Sequence, residues 1–375
     1  MPENHATKIY LDYNASTPVD PAVAAVMRQY LEGAFGNPSS AHWAGVPARE
    51  VVEKARHQVA GLLGCSPGAI IFTSGGSEAN NLAIKGVMQH RAGAHIITTQ
   101  VEHPAIVEPC RYLERQGVQI SWLGVDTAGQ VNPDELRQAI RADTALISIM
   151  HANSEVGSIQ PIAECARIAR ENGVLMHTDA AQTVGKIATS AADLGVDLLS
   201  IAGHKLYAPK GIGALYLKDG VELEPLIHGA GHENGRRAGT ESAMLTAALG
   251  KACELAGDLS AMARLAALRD RLWSRLRAGL GERVVLNGHP EQRLPNTLHV
   301  SFMGHIGSEI LAAIPEIAAS TGSACHTGSV EMSPVLKAMG MSPERGAGAV
   351  RFSLGRFTTG AEIDDAADDI KRYKN

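Results

Sequence analysis

Short apolar runs alternate with longer amphipathic stretches along the first two-thirds of the 375-residue chain. The runs are Ala69–Phe72, Ala94–Thr99, Gln119–Leu123, Ala145–Met150, Val174–His177, Leu198–Ile201 and Gly213–Leu217. Several are apolar throughout, the pattern of strands buried on both faces. Asp20 and Pro21 supply an N-cap and a first-turn proline for a helix reaching about Leu31, and a second helix runs from Pro47 to Leu63. Strands alternating with helices predict a mainly parallel sheet wrapped by helices.

The rhythm changes after Asp258. Met262, Leu265, Leu268, Leu272 and Leu276 form an apolar stripe on a helix from Leu259 to Leu280. Strands follow at Val284–Leu286, Thr297–Phe302 and Val350–Leu354, then a last helix from Ala361. This part reads as a smaller α+β domain. The length fits one large α/β domain plus that smaller one.

Composition narrows the class. Apolar residues make up 45% and charged residues 19%, ordinary for a folded soluble chain. The net charge of -5, without a basic stripe, argues against nucleic acid or an anionic membrane as partner. No apolar run reaches the roughly 18 residues of a membrane span, and the first residues lack a secretion-signal layout. Five scattered cysteines (Cys65, Cys110, Cys165, Cys253 and Cys325) contain no CxxC pair. They predict neither a disulfide framework nor a metal site, and point to a reducing cytoplasm.

Ligands of open α/β sheets sit beyond the carboxyl ends of the strands. The turns there carry the candidate chemistry. Thr73-Ser74-Gly75-Gly76-Ser77 opens a helix, where backbone N–H groups can approach an anion; a plain small-residue turn would look the same. It matches neither a P-loop nor a dinucleotide fingerprint. Asp179, with Gln182 three residues on, ends the strand from Val174, and a carboxylate there can keep a pyridine nitrogen protonated or merely cap a helix. Lys205, in Gly203-His204-Lys205, follows Leu198–Ile201, where burial would free its amine for imine formation; Lys210 is the rival. His103, in Glu102-His103-Pro104, can stack on a flat ring or start a helix. Asn153 and Ser154 lie at the same sheet edge. In the smaller domain, Cys325 sits among Gly, Ser, Ala and Thr, which reads as an exposed, mobile loop with an available thiol. Arg351, on a predicted strand, suits a bidentate carboxylate.

These parts, in this order, resemble a fold-type I enzyme using pyridoxal 5'-phosphate (PLP). Tyr10-Leu11-Asp12-Tyr13-Asn14, Gly36-Asn37-Pro38-Ser39-Ser40, Ser74 to Asn81, His177-Thr178-Asp179-Ala180-Ala181-Gln182, Gly203-His204-Lys205, Arg236 to Glu241 and Gly322-Ser323-Ala324-Cys325 narrow the likeness. Together they resemble the cysteine desulfurases of the NifS/IscS type, within the class V aminotransferases, from about Ile9 to Thr359. The resemblance implies a mainly parallel seven-stranded sheet in a large PLP-binding domain, residues 15–257. It assigns residues 1–14 and 258–375 to the small α+β domain.

By the same resemblance Lys205 binds the cofactor and shuttles protons, Asp179 pairs with the ring nitrogen, Gln182 meets the ring oxygen and His103 stacks. Gly76, Ser77 and His204 hold the phosphate, with Thr240 reaching over from the second subunit of a homodimer. Asn153 or Ser154 supplies a further ring contact, and Arg351, with Asn37, takes the substrate. Cys325 removes the sulfur of L-cysteine, leaving L-alanine and a persulfide for a sulfur-acceptor protein, as in iron–sulfur cluster assembly. A selenocysteine lyase-like activity is the alternative. Two positions depart from the family pattern: Ser154 replaces a second asparagine, and Ala202 replaces a serine that gives the phosphate a hydroxyl. The chain also ends at Asn375, before the longer tail with which family members dock an iron–sulfur scaffold.

Overall fold

Seven runs, most of them apolar enough to bury both faces, pair side by side in one sheet. They are β1 (Ile70–Thr73), β2 (His95–Thr99), β3 (Gln119–Leu123), β4 (Thr144–Ser148), β5 (Leu175–Asp179), β6 (Leu198–Ala202) and β7 (Gly213–Leu217). In this computed structural model, residues 8–33, 35–89, 91, 94–321, 323–326 and 329–374 are described, with backbone alone for Glu32, 323–326, 329–331, 373 and 374. The strand order is β1-β7-β6-β5-β4-β2-β3. Every residue of β1, β2, β4, β6 and β7 is buried, whereas edge strand β3 buries only Leu123. All pairs are parallel except those of β7, which runs antiparallel to both β1 and β6.

The sequence extends the fourth strand to Met150, but its ladder ends at Ser148. Beyond it Met150 N–H donates to the buried carboxylate of Glu102 at 2.9 Å instead of to a strand, while Ile149 and His151 N–H still donate to the β5 carbonyls of His177 and Asp179.

Helices cover both faces. One apolar core lies under the helices Gly45–Leu63, Ile162–Glu171 and Ala243–Ala256, the other under Gly76–Met88 and Pro104–Glu114. Gly45–Leu63 and Ala243–Ala256 touch closely because Gly250 has no side chain; a Cβ there would meet Ala55 Cα at 2.7 Å.

A third core joins Leu265, Leu272 and Leu276 of the helix Ser260–Leu280 to Phe302, Phe352 and Ile363. It backs an antiparallel sheet of Ser320–Thr321, Ala349–Ser353, Thr297–Phe302 and Val284–Leu286, in that order. Ile9–Tyr10 pairs in parallel with Ile317–Ala318, which carries Ile9 and Leu11 into this core.

The segment around Cys325 differs from the loop expected from sequence. Ser323–His326 pairs antiparallel with Ser329–Met332, placing Cys325 opposite Val330. Small polar residues lack the apolar alternation that marks such a hairpin. The Cys325 side chain lies outside the described residues.

A buried ion pair ties the segment His232–Gly235, between β7 and the helix Ala243–Ala256, to the sheet. Arg56 donates through Nη1 and Nη2 to the two oxygens of Glu233, both at 2.8 Å, and Phe72 N–H donates to the same carboxylate at 2.9 Å. Glu233 and Asn234 accept left-handed φ angles of 49° and 57°, a strain tolerated where surroundings over-determine the backbone. Removing one partner leaves a charge buried without compensation. Arg56→Ala is therefore expected to lower unfolding free energy by about 3–5 kcal/mol. Urea unfolding checks this, and a loss below about 1 kcal/mol would show the pair to behave like a surface one.

Candidate active site

The carboxyl ends of β1, β2, β4, β5 and β6 open on one edge, where a cavity of about 620 Å³ lies between the sheet and Arg351 of the smaller lobe. One wall is the start of the helix Gly76–Met88, with Ser74, Gly76 and Ser77. Its unpaired N–H groups and dipole favour an anion. The turn can lie flat because Gly213 has no side chain; a Cβ there would meet Gly75 backbone at 2.7 Å. Behind Gly76 stands Ala202, whose Cβ would be 3.0 Å from a Cβ on that glycine. Glu78 closes this wall. Burial pushes its carboxyl up, but hydrogen bonds from Arg237 (2.8 Å) and Ser74 N–H (2.7 Å) hold it below its ordinary value.

Asp179 ends β5 on the cavity floor, where both carboxylate oxygens already accept one hydrogen bond. Asn80 Nδ2 donates at 2.7 Å and Ala181 N–H at 2.9 Å, which fixes the carboxylate and leaves lone pairs for a cationic ring donor. Opposite stands His103, N-cap of the helix Pro104–Glu114; its Nδ1 accepts from Ala105 N–H at 3.1 Å, which puts the proton of the neutral ring on Nε2. Burial lowers its pKa, Asp179 works against that and Lys205 adds to it.

Lys205 follows β6 in a single 3₁₀ turn and reaches across the cavity. Its Nζ donates to the carbonyls of Asn14 and Ala15, the latter at 2.7 Å. Burial, reinforced by Arg351, pulls its pKa down to about 8. The adjacent His204 is lowered to about 4 by burial and by Lys205 and Lys210. The cavity thus offers a lysine with accessible free base beside a fixed carboxylate.

Asn14 is a hub that sequence reasoning missed. It is fully buried, and its side chain bonds Thr297 Oγ1 (2.9 Å), Asn296 Nδ2 (3.0 Å), the Ser154 carbonyl (3.2 Å) and Lys186 Nζ (3.3 Å). Gln182 lies against it, donating from Nε2 to the Asn14 carbonyl at 3.0 Å while Oε1 accepts from Lys186 at 2.8 Å. Burial, with Lys205 and Arg351 nearby, holds the Lys186 amine well below its usual range. Its one sequence signal is the four-residue spacing from Gln182, too common to single it out. Glu102 was likewise passed over: burial raises it to about 8, and its second oxygen has no partner.

The remaining candidates divide. Ser154 lines the cavity, and its carbonyl accepts from Arg351 Nη1 at 2.9 Å. Asn153 turns away, its amide bonding the Val101 carbonyl (3.1 Å) and the N–H groups of Glu155 and Val156. Asn37 is exposed and caps its own turn, accepting from Ser39 N–H at 2.9 Å. Thr240 is exposed on the loop that Glu233 anchors, apart from the cavity lining. Among the described residues, no group of three or more His, Cys, Asp or Glu could hold a metal ion.

Comparison with known proteins places this arrangement. The model of the aminotransferase class-V family matches residues 9–365. The chain belongs to that family. A cysteine desulfurase IscS of Klebsiella pneumoniae is 47% identical over 373 residues, covering 97% of this chain and 92% of the relative. Among solved structures of the class-V fold, a NifS-like protein superposes with a TM-score of 0.91 at 37% identity, covering 98% and 99% of the two chains. SspA, solved in complex with cysteine, gives a TM-score of 0.84 at 37% identity over 94% of this chain and 100% of that one. The seven-stranded sheet with one antiparallel member is thus the fold-type I arrangement of class-V enzymes.

Proposed function

We infer that the chain is a PLP-dependent cysteine desulfurase, converting L-cysteine to L-alanine with a persulfide on Cys325. The observation that carries this is the meeting of Lys205, with its pKa near 8, with Asp179 and Arg351 around one cavity. The IscS relative and the cysteine-bound SspA structure support the choice of substrate.

The residues present suit PLP. The helix start at Gly76, with Ser77 and His204, would take the phosphate; Asp179 would keep the ring nitrogen protonated; His103 would cover the ring, with Gln182 and Ser154 on the same cavity wall. When bound, the cofactor supplies an electron-poor ring that takes up the negative charge developing on the substrate. Lys205 attaches that group and then moves protons at the substrate's α- and β-carbons. Arg351 orients the substrate carboxylate. Cys325 takes the sulfur: an S–S bond forms as the C–S bond breaks, and the carbon, protonated, becomes the methyl of alanine. One thiol and one cysteine give one persulfide and one alanine, so atoms and electrons balance.

Ala202 leaves the phosphate wall one hydroxyl short. Ala202→Ser is expected to strengthen cofactor binding by about 1.5–3 kcal/mol, roughly ten- to a hundredfold in Kd. Fluorescence titration of the cofactor-free protein with PLP measures it, and an unchanged Kd would place the phosphate elsewhere.

The exposed Thr240 suits a homodimer in which that loop completes the partner's phosphate site. A cytoplasmic sulfur-acceptor protein would collect the persulfide. Among the described residues, no helix is long and apolar enough to cross a membrane. Product analysis on L-cysteine and L-selenocysteine tests the reading. Alanine from both, with a Cys325 persulfide from cysteine, supports it, and turnover confined to selenocysteine overturns it.

A further inference from the structure

Arg351 does not face the cavity as a free cation. Its Nη2 donates to Asp12 Oδ1 at 2.7 Å and to Ser320 Oγ at 3.0 Å, and its Nη1 donates to the Ser154 carbonyl at 2.9 Å. Ser320 in turn donates to the same Asp12 oxygen at 2.8 Å. Both charged side chains are shielded, at 11% and 19% exposure. The Nε–H of Arg351 is buried without a partner. Three of its five N–H groups, both on Nη2 and one on Nη1, are therefore occupied, so an incoming carboxylate does not meet a free guanidinium fork.

We propose that Asp12 is a positioning and specificity residue for the substrate carboxylate, aiming the Arg351 guanidinium and keeping its hold on that carboxylate weak. The inference rests on Arg351 being the carboxylate anchor. With Asp12 on Nη2, an incoming α-carboxylate meets an arginine already neutralised and a second negative charge nearby. Like charges a few ångströms apart in a shielded site repel far more than in water. Substrate and product are both α-amino carboxylates, so an anchor this weak lets L-alanine leave. Ser320 shares the geometric task but adds no charge. Its hydroxyl fixes which Asp12 oxygen faces the guanidinium, and it lies on the short strand that leads to Ser323–His326.

Calorimetric titration of the cofactor-loaded protein with L-alanine reads this directly. Asp12→Asn keeps the shape and removes the charge. Its Kd for L-alanine is expected to fall about tenfold. Asp12→Glu restores the charge and is expected to bind within about threefold of the unmodified protein. Ethylamine, which has no carboxylate, should bind the unmodified protein and Asp12→Asn alike. An unchanged or weaker affinity of Asp12→Asn for L-alanine, or equal tightening for ethylamine, overturns the proposal. Arg351→Ala separates it from the reading beneath it: if that variant binds L-alanine normally, Arg351 is not the anchor. If it loses L-alanine and Asp12→Asn gains nothing, only the role of Asp12 is wrong.

Discussion

Alanine formation from L-cysteine is expected to fall by about 10³-fold or more in Lys205→Ala, since one residue both attaches the cofactor and moves protons. The visible absorbance of the bound cofactor should change with it. Lys205→Arg is expected to be as inactive, because a guanidinium does not give up its proton near neutral pH. Lys210, also on the cavity wall, is the control; Lys210→Ala should retain the absorbance. The pH dependence follows from burial. The Lys205 amine, lowered to about 8, is mostly protonated below that pH and mostly free base above it. Uptake of PLP by cofactor-free protein should therefore slow by about tenfold for each pH unit below 8 and level off above it. A flat rate between pH 6 and 9, followed by stopped-flow absorbance, would remove Lys205 from this role.

Cys325→Ala should be comparably severe. Losing a nucleophile commonly costs about 10³-fold or more, and here no other thiol can step in. Burial raises Cys65 to about 11 and Cys110, Cys165 and Cys253 to about 12, so almost none is thiolate near neutral pH. Mass spectrometry after incubation with L-cysteine should find one additional sulfur on the unmodified chain, located at Cys325, and none on the variant. A persulfide on a different cysteine, or undiminished alanine production, would reject the assignment.

What the sequence reveals and what it hides has a physical pattern. All seven strands of the large sheet could be read, five of them because continuous burial writes itself as continuous apolar runs. The direction of β7 could not, since a strand buried on both faces looks the same whichever way it runs. Lys205, Asp179 and His103 were legible because each follows a strand at the ligand-binding edge. The Asp12–Arg351 pair was not, because its members lie 339 residues apart and only the closed fold brings them together. Asn153 shows the opposite failure: a suitable residue at a suitable strand end, turned inward because the nearby N–H groups of Glu155 and Val156 claim its oxygen.

The pairing of Ile9–Tyr10 with Ile317–Ala318 carries a consequence for how the chain is made. Residues synthesised near the beginning contribute a strand whose partner emerges near the end, and Asp12 must wait for Ser320, 308 residues later. At a synthesis rate of roughly 5–20 residues per second, that wait is roughly 15–60 s. The seven-stranded sheet, complete by Leu217, can gather its core while the ribosome is still working. Asp12, which aims Arg351, therefore waits outside its final place until the C-terminal third has been translated.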